Sequence, residues 1–195
     1  MRKTVSSLSP RHPKRHTEPV DVHVILRRGG EVLLTRRAGE VYASGLLHLP
    51  SGHLDGPHET ILDAAVREAR EETGVLIDPA EVRAAVVVHH RSPAGQARTG
   101  FFFEARRWQG QPHITEPHLC SDMGWWPLDA LPGGMVAYCR AGLDAYRAGR
   151  YFATHFQHPG DPIAHQPGPG HRLALLPHTT PQHPPPAPAA DRTLP

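Results

Sequence analysis

Arg67-Glu68-Ala69-Arg70-Glu71-Glu72-Thr73-Gly74 is the stretch on which the reading of this chain turns. At 3.6 residues per turn, Glu68, Glu71 and Glu72 stand at i, i+3 and i+4, so three carboxylates share one helical face. Carboxylates at that density suit a hard divalent cation. Leu62, Ala65, Val66 and Ala69 recur on a second, apolar face roughly 100° or more away, so one side packs while the other is free for chemistry. Thr60-x-x-Asp63 has the form of a capping box, and Gly74 stands where a left-handed cap closes a helix, which predicts a helix over about 60–73. The plainer alternative is a solvated face held by i,i+4 pairs such as Arg67 with Glu71.

On either side of this helix the pattern changes to strands. Residues 20–26 and 32–35 read as a hairpin around Arg27-Arg28-Gly29-Gly30. Residues 82–90 and 99–105 read as two further strands around a Ser92-Pro93-Ala94-Gly95 turn. A second helix over about 135–148 follows the Pro132-Gly133-Gly134 break, with Val136, Cys139 and Leu143 at helical spacing. Strands mixed with two helices predict an α/β domain, a mixed β-sheet flanked by helices on both faces. The apolar content, 38% over 195 residues, is concentrated between residues 20 and 151 and suffices for one core.

The spacing around the acidic helix resembles a known signature. Gly52-His53-Leu54-Asp55-Gly56-Pro57-His58-Glu59, then seven residues, then Arg67-Glu68-Ala69-Arg70-Glu71-Glu72-Thr73-Gly74-Val75 is similar to the box of the Nudix hydrolase superfamily. Six residues rather than five separate Gly52 from Glu59, and His58 stands where the family has glycine. Leu49-Pro50-Ser51-Gly52 resembles the family's entry to the box, and Trp125-Trp126-Pro127-Leu128-Asp129-Ala130-Leu131-Pro132 its late strand and turn.

The resemblance implies a Nudix-like α/β/α sandwich over residues 20–156 and a metal-dependent pyrophosphohydrolase using Mg²⁺ or Mn²⁺. It makes Glu71 and Glu72 metal ligands, Glu68 a ligand or the general base, and Glu59 a support of the metal site from the loop. The carbonyl of Ser51 or Gly52 would complete the shell. Arg67 would hold the glutamates by ion pairing, and Glu116, ahead of Asp122, would be the further acid that some members use. The implied substrate is a nucleoside diphosphate linked to another moiety, a nucleoside triphosphate or modified nucleotide in the MutT-like manner, with ADP-ribose or a sugar nucleotide as the alternative. A nucleotide-sensing module without turnover is the competing class, and a tail that recruits a partner is a third reading.

Substrate contacts are sought among residues able to stack a base or hold a distal phosphate: Arg36, His89, Arg91, Arg98, Phe101 and Trp125, with His90, Phe103 and Trp126 beside them. Strand alternation places at least one of Phe101, Phe102 and Phe103 in the core.

The ends are different material. Residues 1–19 are basic and poorly apolar, which predicts a flexible arm. Residues 157–195 hold eleven of the 22 prolines, which predicts a disordered tail in which only residues 173–176 are apolar enough to dock. Its histidines, His158, His165, His171, His178 and His183, are spaced too widely in sequence to predict a compact tetrahedral metal site. Cys120 and Cys139 form no C-x-x-C pair. With neither a signal peptide nor a bilayer-length apolar run, the expected location is cytoplasmic and the expected partner a small nucleotide, not a membrane or nucleic acid. A homodimer is compatible with the resemblance.

Overall fold

The computed structural model describes residues 15–168 and 170–177. Nine strands and two long helices follow one another as β1 (Val20–Arg28), β2 (Glu31–Arg37), β3 (Leu47–His48), β4 (Ser51–His53), α1 (Ile61–Thr73), β5 (Val82–Arg91), β6 (Ala97–Ala105), β7 (Cys120–Pro127), α2 (Ala137–Arg147), β8 (Phe152–Phe156) and β9 (Leu173–Leu175). The sheet runs β3-β2-β1-β6-β5-β8-β9, with β4 on β1 and β7 on β2. β1 is parallel to β6 and β5 to β8, and the remaining pairs are antiparallel, so the sheet is mixed as predicted.

Alternation along β1 divides the core into two layers. Val22, Val24 and Leu26 face α1 and pack with Ala64, Ala65, Ala69 and Phe103. Ile25, from the opposite face, packs with Val88, Phe102, Tyr138 and Leu143 on the α2 side. The result is a helix, sheet, helix sandwich. Phe101 is partly buried against the α1-side cluster, so all three consecutive phenylalanines serve the core, Phe102 on one face of the sheet and Phe101 and Phe103 on the other.

The predicted caps of α1 form. Thr60 accepts from the Asp63 amide while the Asp63 carboxylate receives the Thr60 N–H, and Gly74 closes the helix at φ 71° with its N–H on the Arg70 carbonyl. Ile61 rather than Leu62 joins Val66 and the alanines in the apolar face.

The tail departs from expectation. Residues 157–168 and 170–177 fold back along α2 and β8: Ala137 N–H donates to the Ile163 carbonyl at 2.8 Å, His165 N–H to the Met135 carbonyl at 2.7 Å, and β9 pairs antiparallel with β8. The boundary placed at 156 therefore cuts through an ordered strap. Proline-rich composition forbids a packed helix there, yet a chain needs only a free strand edge and a short apolar segment to be held by backbone hydrogen bonds. His178, His183 and residues 1–14 lie outside the described residues. Among the described residues, no helix is long and apolar enough to cross a membrane.

Candidate active site

β1 runs beside β2 only at their hairpin, through Arg27↔Val32 and Arg28↔Glu31. Beyond it β1 pairs with β4, while β2 pairs with β3 and β7. The strands therefore part, and a pocket of about 500 Å³ opens in the gap. One wall is acidic: Glu68 and Glu72 from α1, with Glu116 ahead of β7 and Ser51 and Gly52 from β4 beside them.

Arg67 organises this wall. Its Nε donates to Glu59 Oε1 at 2.7 Å, Nη1 to Glu68 Oε1 at 2.7 Å and Glu71 Oε2 at 2.9 Å, and Nη2 to the His53 carbonyl at 2.8 Å and Glu59 Oε2 at 3.1 Å. All five guanidinium N–H groups are used, which a lysine cannot do. Glu59 also accepts the Asp55 amide at 2.7 Å, and the Arg67 hydrogen bonds followed by that amide hold its carboxyl below the usual range. The additional residue between Gly52 and Glu59 is taken up in the turn at 56–59, where Glu59 N–H meets the Gly56 carbonyl at 3.3 Å, so Glu59 still reaches Arg67.

Burial sets the protonation of the inward carboxylates. It pushes Glu72 up to about 8, aided by the neighbouring Glu68 charge and opposed by the Ser51 backbone. Glu68 is also raised, by burial, against the pull of Arg67. A Cβ at Gly52 would overlap the Glu68 carboxylate, so glycine is required there for close approach. Glu71 turns outward: its side chain is 51% exposed, and its carbonyl accepts the Thr115 hydroxyl. Among the described residues, no three His, Cys, Asp or Glu side chains already converge as a metal shell. The donor set is nonetheless all oxygen, desolvation raises two of its carboxylates and the Glu68 charge adds to the rise at Glu72, and a hard divalent cation would relieve the charge that burial now suppresses.

The facing wall is built from imidazoles and a phenol. His23, on the same face of β1 as Ile25, stacks on Phe102 with centroids 4.2 Å apart and meets Tyr138 edge-on. His90 stacks on Tyr138, with centroids 4.2 Å apart, and its ring lies nearly parallel to that of His155 of β8, at 5.1 Å. Burial lowers His23 to about 3, His90 to about 4 and His155 to about 3, so all three are neutral. Asp21 carries the network to the mouth: Arg98 Nη1 donates to its Oδ2 at 3.1 Å, and His53 Nε2 lies 3.1 Å from Oδ1 without a hydrogen bond.

Of the residues predicted for catalysis and metal binding, Glu68, Glu72, Glu116 and Gly52 line the pocket; Arg67, Glu59 and Glu71 support it from behind. Of the predicted substrate contacts, Arg98 and His90 line the pocket. Arg36 is one residue out of register, pairing with Asp122 and the Gly45 carbonyl, and its neighbour Arg37 lines the pocket instead. His89 points to Glu18 and Phe156, Arg91 lies over Phe156, Phe101 is on the α1 side, and Trp125 stacks with Trp108 under Arg28. Sequence reasoning missed His23, His48 and Tyr138, which lie in β1, β3 and α2; the signal available was a polar ring at an otherwise apolar register.

The fold is thus a mixed sheet between two helices, with a Glu-lined pocket where two of its strands part. The NUDIX domain model matches residues 17–148, and the chain belongs to that family. It is similar to the MutT NUDIX hydrolase from Burkholderia pseudomallei, at 28% identity over 66% of this chain and 98% of that one, TM-score 0.61. The MutT protein from Methanosarcina mazei Go1 shares 21% identity over 67% and 94%, TM-score 0.57, and the mutator MutT protein from Bacillus halodurans 20% over 72% and 91%, TM-score 0.57. The last two establish likeness of fold. The enzyme is a Nudix pyrophosphohydrolase, a class that generally uses divalent metal ions and small nucleotide substrates. Strands β8 and β9 lie beyond the matched residues.

Proposed function

We propose that this enzyme hydrolyses the phosphoanhydride of a nucleoside diphosphate linked to another moiety, with Mg²⁺ or Mn²⁺ held by Glu68 and Glu72 and a backbone carbonyl of Ser51 or Gly52. The observation that carries this reading is the pair Glu68 and Glu72, brought by one helix into the pocket against Gly52. When bound, the cation supplies charge to neutralise phosphate oxygens and to acidify a water.

The protein's own groups do the rest. Arg67 holds Glu68 and Glu59 in place and, with every N–H engaged, acts as a positioning residue. Glu71 completes its clamp. Glu116, on the pocket wall, accepts the proton of the attacking water. Arg37 and Arg98, at other points of the lining, offer positive charge to phosphate oxygens.

The test is phosphate release from nucleoside triphosphates, ADP-ribose, sugar nucleotides and dinucleoside polyphosphates, each with Mg²⁺, Mn²⁺ or EDTA. Metal-dependent turnover that is lost in Glu72→Gln is expected. Turnover untouched by EDTA or by Glu72→Gln would remove the assignment, and tight binding without turnover would turn the reading to a sensor.

A further inference from the structure

The imidazole wall has a feature that a packed core does not need. His23 and Tyr138 are only 6% and 7% exposed, and among the described residues His23 Nδ1, His23 Nε2 and the Tyr138 hydroxyl have no hydrogen-bond partner. All three atoms belong to side chains lining the same pocket as Glu68 and Glu72. Buried polar atoms left without partners are destabilising, and their collection on one pocket wall points to a ligand that satisfies them.

His90 specifies the sign of one contact. Its Nδ1 lies 3.0 Å from the His155 carbonyl and 3.1 Å from His155 Nδ1. A carbonyl only accepts, so the proton sits on His90 Nδ1 and Nε2 of the neutral ring is an acceptor. A phosphate at neutral pH offers acceptors alone and cannot serve it. Neutral His23 adds one donor and one acceptor and Tyr138 a hydroxyl, so the group that satisfies this wall both donates and accepts, as a neutral hydroxyl does.

The ring packing narrows the choice further. One face of His23 is covered by Phe102 and one face of His90 by Tyr138, and the Nδ1 edge of His90 is taken by His155. What the wall leaves unpaired, among the described residues, are ring nitrogens and a hydroxyl. Gly100 is part of the design: a Cβ there would collide with the Tyr138 hydroxyl, so the absent side chain is what lets that oxygen sit beside the strand.

From these observations we infer that His23, His90 and Tyr138 form a subsite for the hydroxyls of a sugar ring attached to the scissile diphosphate. The ring belongs either to the nucleoside itself or to a second sugar across the phosphoanhydride. The inference rests on the phosphoanhydride reading above for how the substrate is placed, but its residues belong to the other wall and can be tested apart from the chemistry.

Tyr138→Phe removes one oxygen and leaves the ring stack, and His90→Gln removes the ring itself. KM and kcat are measured with Mg²⁺ for ATP and 2′,3′-dideoxy-ATP, and for ADP-ribose and UDP-glucose, on wild type and both variants. The expected result is an increase in KM of about tenfold for the hydroxyl-bearing substrates in Tyr138→Phe, since a site built to hydrogen-bond a hydroxyl discriminates against its absence. kcat stays within about twofold.

Loss of the ATP to dideoxy-ATP preference assigns the subsite to the nucleoside's ribose. A rise confined to ADP-ribose and UDP-glucose assigns it to the second sugar. An equal effect on the dideoxy and ribo forms, with no effect on either sugar nucleotide, overturns the inference and leaves the hydrolase reading standing. If no substrate turns over, that reading fails instead, and calorimetric binding of ADP-ribose and UDP-glucose to wild type and Tyr138→Phe decides the inference: weaker binding in the variant supports it, equal binding overturns it.

Discussion

The two walls of the pocket are made of opposite material by opposite means. The acidic wall comes from one helix and the loop before it, with Glu59, Glu68 and Glu71 tied to Arg67 by short-range hydrogen bonds and Glu72 one turn along from Glu68. The neutral wall presents His23, His90 and Tyr138 from β1, β5 and α2, with His155 of β8 backing His90, and these residues are far apart in the chain. A wall written in one helix survives changes elsewhere in the fold. One collected from four elements depends on the whole sandwich, including the strap beyond the matched family region.

The largest expected effects fall on the acidic wall. Glu72→Gln lowers kcat by about 100-fold or more in steady-state assays while the far-UV spectrum is kept. Gly52→Ala drives the Glu68 carboxylate from its place and costs on the order of 10²-fold, since a displacement near 1 Å suffices. Arg67→Lys keeps the charge and loses the fork; a loss of about 10- to 100-fold in activity or metal affinity is expected, and activity equal to wild type would show that the clamp does not position Glu68.

The strap gives an intermediate effect. A chain ending at residue 156 loses β9 and the hydrogen bonds that join Ala137 to Ile163 and His165 to Met135. With about 1 kcal/mol for each of those two bonds, and about 2–4 °C per kcal/mol for a domain of this size, its melting temperature should fall by about 4–8 °C. No change would mean that the neutral wall stands without the strap.

The walls also differ in how pH reaches them. His90 and His155 are depressed to about 4 and about 3, against about 6.5 for a free imidazole, so between these values the unfolded chain binds protons that the folded one refuses. Stability is therefore full above about pH 6.5 and lost as pH falls toward 4, by up to about 1.4 kcal/mol per pH unit for each ring. Urea midpoints at pH 7 and pH 5 measure it, and His155→Phe should flatten the slope. The smallest effect is expected at Arg91→Ala and His89→Ala, whose side chains lie outside the pocket: KM should stay within about twofold of wild type in the same assays.

The acidic wall and its helix are legible in the sequence by itself. Cap residues at Thr60 and Gly74 and carboxylates at i, i+3 and i+4 act through local geometry, which spacing alone specifies. The hairpin, the strand pair around residues 92–96 and α2 are legible for the same reason, as periodic segments bounded by turn residues. Strands β3, β4 and β9 are two or three residues long, too short to show a period, and exist only because a neighbouring edge receives them. The substrate residues are the least legible. His89 and His90 are adjacent and chemically identical, and strand alternation sends one to Glu18 and the other to the pocket. Arg36 and Arg37 divide in the same way at a register shift. Local spacing settles what one element presents along its length; which of two alternating faces borders a cavity depends on partners distant in the chain, and only the packed sheet chooses between them.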